Sequence, residues 1–226
     1  MALLGKAAVL VLSEMADPAG HDLWHSREHL PERTGIPGFL RARRCLAADG
    51  EEPRYLVLYE LRDASVLTSP GYLARLNNPT EWTRKTMSEN RSLNRTLCKV
   101  AATHGVGIGG VLSAIFVTPP AEREPKLGNV IANVLPDVAG APGIVAAHLL
   151  QRAEGVVRPD TLERQLRTRP DGFVDWVILV EGYDQSGVAA AVKKLASDVA
   201  GNGGEVSEPR APFHLAHVMS SSAMNT

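Results

Sequence analysis

The stretch His29-Leu30-Pro31-Glu32-Arg33-Thr34-Gly35-Ile36-Pro37-Gly38-Phe39 returns 105 residues later as Val134-Leu135-Pro136-Asp137-Val138-Ala139-Gly140-Ala141-Pro142-Gly143-Ile144. The Leu-Pro pair, the acid, the glycine and the Pro-Gly turn all fall in step. In a chain of 226 residues this repeat implies two copies of one unit, each near the common domain size of about 100 residues. We place them at residues 1–104 and 105–226. The copies differ where chemistry would sit. The first carries His21, Trp24, His25 and His29, whereas the in-step positions of the second are Lys126, Asn129, Val130 and Val134. The first unit is therefore expected to hold the functional pocket and the second to be mainly structural.

Working outward, Ala7 to Ser13 reads as a strand and Pro18 to Leu30 as a helix, with Asp17 as its N-cap and Pro31 ending it. Phe39 to Leu46 and Tyr55 to Leu61 read as strands joined through the Asp49-Gly50 turn signal. Short helices interrupted by Ser69-Pro70-Gly71 and Asn77-Asn78-Pro79 follow, and a strand returns from Leu93 to Ala102. The second unit repeats the order. Its strands are Val111 to Val117, Ile144 to Gln151, Phe173 to Tyr183 and Phe213 to Ser220, and its helices Lys126 to Val138 and Val188 to Ala200. The glycine-rich Thr103 to Gly110 reads as a linker, and the polar insertion Ala153 to Gly172 as an exposed loop. Strand, helix, strand, strand, helix, strand is the split βαβ, or ferredoxin-like, α+β unit. Helices on one face of its sheet leave the other face bare, so two units in one chain are expected to pack sheet to sheet.

Composition excludes several classes. With 44% hydrophobic and 22% charged residues and a formal net charge of −1, the chain has an ordinary globular composition. Residues before His104 carry 14 basic and 12 acidic groups and the remainder 10 and 13, so no basic excess for nucleic acid exists. The densest basic cluster, Arg41, Arg43 and Arg44, reads as a solvated strand edge. No apolar run is long enough for a membrane span or signal peptide, and Cys45 and Cys98 read as buried free thiols, which together point to the cytoplasm. The glycines from Gly105 to Gly110 precede a strand and open no helix, so no dinucleotide loop is expected.

The order Trp24-His25, His29-Leu30-Pro31 and Pro37-Gly38-Phe39 resembles the ethyl tert-butyl ether degradation (EthD) branch of the dimeric α+β barrel superfamily. The resemblance in fold covers essentially the whole chain, and the histidine motif covers Trp24 to Phe39. It implies an intrachain α+β barrel with one pocket per chain, His29 as the motif histidine, and action on a small organic molecule. Members of the superfamily include isomerases, cyclases, lyases, dehydratases and cofactor-free monooxygenases, and some bind haem.

Independently of that resemblance, the four-residue spacing of His21, His25 and His29 sets three imidazoles along one helical stripe. An imidazole exchanges protons near neutral pH, so His29, assisted by His25, is the expected acid or base. Three successive turns span about 12 Å, too far for all three rings to reach one ion, and no metal or other cofactor is expected. The alternatives are a haem- or metal-dependent enzyme, or a non-catalytic ligand-binding barrel whose histidines are structural. Trp24, Tyr59, Tyr72, Thr80 and Trp82 are the expected substrate-binding residues, the last three from a loop suited to covering a pocket. Glu60 is either an acid facing His29 or, because Glu181 occupies the like position in the second unit, a fold element bonded to backbone or to an arginine across the barrel. The expected partner is a small hydrophobic or aromatic carbonyl compound, and exposed edges could pair two chains into a homodimer.

Overall fold

The computed structural model describes residues 2–48, 50–155, 159–167, 170–207 and 212–221. Asp49 of the expected turn and parts of the 153–172 insertion lie outside them. The first half runs β1 (Ala7–Met15), α1 (Pro18–Trp24), a π-helical turn (His25–His29), α2 (Leu30–Thr34), β2 (Phe39–Leu46), β3 (Tyr55–Leu61), α3 (Pro70–Leu76), α4 (Glu81–Ser88) and β4 (Asn90–Gly105). The second runs β5 (Val111–Thr118), α5 (Glu124–Ala139), β6 (Ile144–Arg152), α6 (Leu162–Gln165), β7 (Trp176–Gly182), α7 (Gln185–Gly201), β8 (Glu205–Val206) and β9 (Phe213–Ser220).

Within the halves the strand orders are β4-β1-β3-β2 and β9-β5-β7-β6, and all these pairs are antiparallel. The halves face each other across a common interior. They also join edge to edge, β4 with β6 and β2 with β9, so that among the described residues eight strands close into a barrel and no long edge is left bare. The expected intrachain α+β barrel is present, closed through edge pairing of the two sheets. The Pro-Gly turns match in backbone: Gly38 has φ +99° and Gly143 φ +83°, and a Cβ there would sit 2.5 Å from Val66 or 2.7 Å from Asp184. Only glycine fits both the left-handed backbone and the close approach.

Side chains alternate with period two. Ala8, Leu10 and Leu12 of β1, Leu56 and Leu58 of β3, Leu150 of β6, and Val177 and Leu179 of β7 fill the barrel interior. The opposite face of β1 and β3, with Val9, Val57 and Tyr59, packs under the helices of the first half. In the second half Leu127, Ile131 and Leu135 of α5 and Val188, Val192 and Leu195 of α7 fill the corresponding layer with aliphatic side chains. No helix of the described residues is long and apolar enough to cross a membrane.

Three local readings are corrected. The helix does not stop at Pro31 but continues as α2, because the turn before it is widened: the Leu30 amide bonds the His25 carbonyl in the π pattern. Such a turn moves the preceding carbonyls away from the proline ring and lets Pro31 enter as a first-turn residue. The linker is shorter than expected, since β4 runs on to Gly105 in pairing with β6. The arginine cluster is no solvated edge, because strand alternation turns Arg41 and Arg43 into the barrel and Arg44 under α1, all buried.

Inside the barrel Arg41 donates to both carboxylate oxygens of Glu60 at 2.7 and 2.9 Å, and Arg43 lies 3.3 Å from Glu60 and donates to Glu181 at 2.7 Å. His148 Nε2 bonds Glu181 at 3.1 Å, and its Nδ1 lies 2.8 Å from the Thr103 hydroxyl. Burial opposes ionisation of Glu181, yet the His148 hydrogen bond and the Arg43 charge hold its carboxyl down to about 2. Cys45 and Cys98 are buried free thiols, both pushed up to about 12 by burial.

Candidate active site

A partly open cavity lies between the helix-facing side of β1 and β3 and the α1–α2 segment. Val9, Val11 and Val57 form its floor, and Trp24, Phe39, Tyr59 and Tyr72 supply aromatic walls. The π turn determines how the histidines enter. A four-residue step advances around an α-helix, whereas in a wider turn it falls short of a full circle, so alternating the two keeps His21, His25 and His29 in one row. Their rings stack with centroids 5.1 and 5.4 Å apart and interplanar angles of 26°. All three line the cavity and are buried.

Each imidazole has a different neighbourhood. His21 packs against Tyr55 at 4.3 Å between centroids and lies near Asp22. Nε2 of His25 shares a 3.1 Å hydrogen bond with the Tyr59 hydroxyl. His29 packs at a tilt against Trp24 at 4.5 Å between centroids and makes no hydrogen bond among the described residues, with Nδ1 buried and unpartnered. Burial is the main reason that the pKa of His25 and of His29 is driven well below the ordinary 6.5; the charge of His21 adds to it for His25, and that of Arg33 for His29. Both are neutral at physiological pH. Burial likewise pushes the Tyr59 hydroxyl up, so it stays protonated beside His25.

The row does not suit a shared metal ion. Imidazole lone pairs lie in the ring plane, and stacked rings cannot aim two of them at one point. A ligating histidine also donates its other ring N–H to an acceptor, and among the described residues the Nδ1 atoms of His25 and His29 have none. Among the described residues no group of three or more metal-ligating side chains is assembled.

Of the residues expected from sequence, His25, His29, Trp24, Tyr59 and Tyr72 come together in the cavity. Glu60, Thr80 and Trp82 do not line it. Glu60 sits one residue from Tyr59, so the strand period turns it to the opposite face, into the barrel, where the arginines hold it. Thr80 caps α4 and donates to Glu28 at 2.6 Å; Glu28 also accepts from Trp24 Nε1 at 3.1 Å and Thr83 at 2.8 Å. Thr80 thereby fixes the position of Trp24. Trp82 is half-buried on α4 away from the lining. Trp82→Ala is accordingly expected to change ligand affinity less than twofold, whereas Trp24→Ala, which removes a cavity wall, weakens it at least tenfold; quenching or calorimetric titration of an aromatic ligand reads both.

The 153–172 insertion is not wholly an exposed loop. Its α6 delivers Glu163, 5% exposed, to the cavity, where it pairs with the buried Arg33, and Arg167 follows beside it. Thr161 caps α6 with its side chain, a local signal of a helix start in this segment. The second half therefore contributes to the site after all.

The architecture is that of the ferredoxin-like α+β barrel proteins. In solved structures, similar folds belong to an anthrone oxidase-like protein (14% identity, TM-score 0.64, covering 98% of this chain and 96% of that one) and a candidate monooxygenase from Fusobacterium nucleatum (8%, 0.58, 96% and 96%). A candidate monooxygenase from Lactobacillus acidophilus matches with 9% identity and TM-score 0.58, covering 95% of this chain and 96% of that one. At these identities the likeness is one of fold. No family model and no curated protein sequence matches the chain.

Proposed function

We propose that this protein is an enzyme that takes a small aromatic carbonyl compound into the α1 cavity and uses the neutral imidazole of His29 to accept a proton from it. The observation that carries this is His29 itself: buried in an aromatic-walled cavity that disfavours its charged form, and without a hydrogen bond among the described residues. A structural histidine satisfies its polar atoms within the fold, as His148 does with Thr103 and Glu181. Tyr59, protonated and bonded to His25, can donate to a developing enolate oxygen, and Trp24 presents a flat face to an aromatic ring. The names of the fold neighbours, an anthrone oxidase-like protein and two candidate monooxygenases, fit a substrate of this kind, since anthrone is an aromatic ketone. Removal of a proton next to a carbonyl opens isomerase, cyclase, lyase and dehydratase chemistry, and with dioxygen as co-substrate an oxidation. The His-Pro-Gly motif from Trp24 to Phe39 supports assignment to the EthD-like branch, and the matched strand orders and Pro-Gly turns support descent from a duplication with units 1–104 and 105–226.

The test is turnover of a panel of enolisable aryl ketones, anthrone among them, followed by product analysis and oxygen uptake. His29→Gln is expected to lower kcat by about 10²- to 10⁴-fold, the usual worth of a general base, with the melting temperature within a few degrees of the parent. Undiminished turnover in that variant would refute the assignment. Because the folded His29 pKa is lowered, the acid limb of kcat/KM is expected below pH 6.5, with a plateau from there to pH 8. Haemin titration monitored at the Soret band is expected to give no stoichiometric complex; one lost in His29→Ala would replace the proposal with a haem-dependent enzyme.

A further inference from the structure

The cavity does not end at the histidine row. Tyr72, Arg95, Glu163 and Arg167 line it and also line a second cavity formed with Leu76, Leu97 and Thr161. Around this junction the guanidinium groups converge. Arg33 lies 5.6 Å from the Tyr72 ring centroid, and Arg95 donates to the Tyr72 hydroxyl at 3.1 Å. Arg33, 4% exposed, spends one terminal nitrogen on Glu163 while its Nη1 has no partner among the described residues. Arg167 pairs with Asp171 through Nη1, and its buried Nε has no partner among the described residues. Buried donors of a cation left without an acceptor are costly, and an anionic ligand group would satisfy them.

We infer that the ligand is an aromatic acid, its ring system against Trp24 and His29 and its carboxylate held between Arg33 and Arg167 at the junction of the two cavities. A carboxylate fits better than a single charged oxygen, because two guanidinium donors from different elements match two acceptor oxygens. Glu163 acts here as a positioning residue: its pairing with Arg33 holds that side chain against Tyr72 and keeps the remaining nitrogen turned from solvent. The sequence difference between the halves acquires a second meaning, since the insertion of the second half supplies the anion-binding end for the histidine-bearing first half.

This inference rests on the reading of the α1 cavity as the ligand site, and a binding measurement separates the two. In the full chain, a naphthalene carboxylate is expected to bind on the order of 10- to 100-fold more tightly than the matching neutral carboxamide, as charge-assisted hydrogen bonds provide. The ratio should fall toward one in the paired variant Arg33→Met/Glu163→Leu, which removes both charges together, and several-fold in Arg167→Met, with carboxamide affinity retained. Should the paired variant fail to fold, Arg167→Met alone carries the test. Equal binding of the two probes by the parent protein, binding of neither, or a preference untouched by these substitutions would overturn the inference. An acid preference that persists in His29→Gln alongside undiminished turnover would instead refute the catalytic assignment and leave the acid site standing.

Discussion

Glu181→Leu is expected to destabilise the protein by about 3–5 kcal/mol, the cost of removing one partner from a buried ion pair. The carboxylate is 1% exposed and accepts from Arg43, from His148 and from the backbone amide of Gly109. Without it, among the described residues, Arg43 keeps its 3.3 Å contact to Glu60, itself already gripped by Arg41. In a chain of 226 residues each kcal/mol moves the melting temperature by about 2–4 °C, so a fall near 10 °C is anticipated. Arg43→Met/Glu181→Leu should recover much of the loss, because Glu60 retains Arg41 and the Leu4 amide. A chemical denaturation curve settles it; a loss under about 1 kcal/mol in the single variant would mean that the network contributes no net stability.

Acid should unfold the protein well before its carboxylates titrate. His25 and His29 have folded pKa values well below 6.5, so as pH falls through 6.5 the unfolded chain takes up protons that the folded chain refuses. The unfolded state then binds more protons, and stability rises with pH and falls as pH falls. Below pH 6.5 the slope rises toward about 1.4 kcal/mol per pH unit for each such histidine, until its folded pKa is reached. His21 adds in the same direction, its pKa lowered by burial against the opposing pull of Asp22. Stability measured against pH should flatten in His25→Gln/His29→Gln. A parent protein with pH-independent stability across that window would show that these imidazoles are solvated, and would remove the premise of a neutral catalytic base.

The histidine row and the interior network show what the two halves share and where they part. Arg43 of β2 and His148 of β6 lie 105 residues apart, the same interval as the opening repeat, and each faces the glutamate of the neighbouring strand in the barrel. The helix layers differ more. In the first half the polar stripe is exposed to a cavity, while α5 fills the same space with Leu127, Ile131 and Leu135 and carries Pro136 without a π turn.

Much of the architecture was legible because it follows from period and punctuation. Phe39–Leu46, Tyr55–Leu61 and Phe213–Ser220 read directly as strands, since alternation with β-branched, aromatic and aliphatic residues between turn signals is a local property. The histidine stripe, Trp24 and Tyr59 were legible for the same reason. Thr80 and Trp82 were not separable from the lining by composition: which face of α4 meets the cavity is settled by how α4 leans on α1 through Glu28. Arg41, Arg43 and Arg44 read as surface because charge ordinarily means solvent, and their acceptors lie on β3, β7 and α1, up to 138 residues away.

The sequence by itself determined two βαββαβ passes, a Pro-Gly turn that only glycine can make, and an imidazole row confined to the first pass, because each depends on neighbours within a few positions along the chain. Tertiary structure alone decided that the passes close edge to edge into one barrel, that Glu60 turns inward to arginine rather than outward to His29, and that Glu163 and Arg167 reach the cavity from the other half. Those outcomes depend on which distant groups can satisfy a buried charge or an open strand edge, and that pairing is an energy of the whole fold, absent from any local stretch of residues.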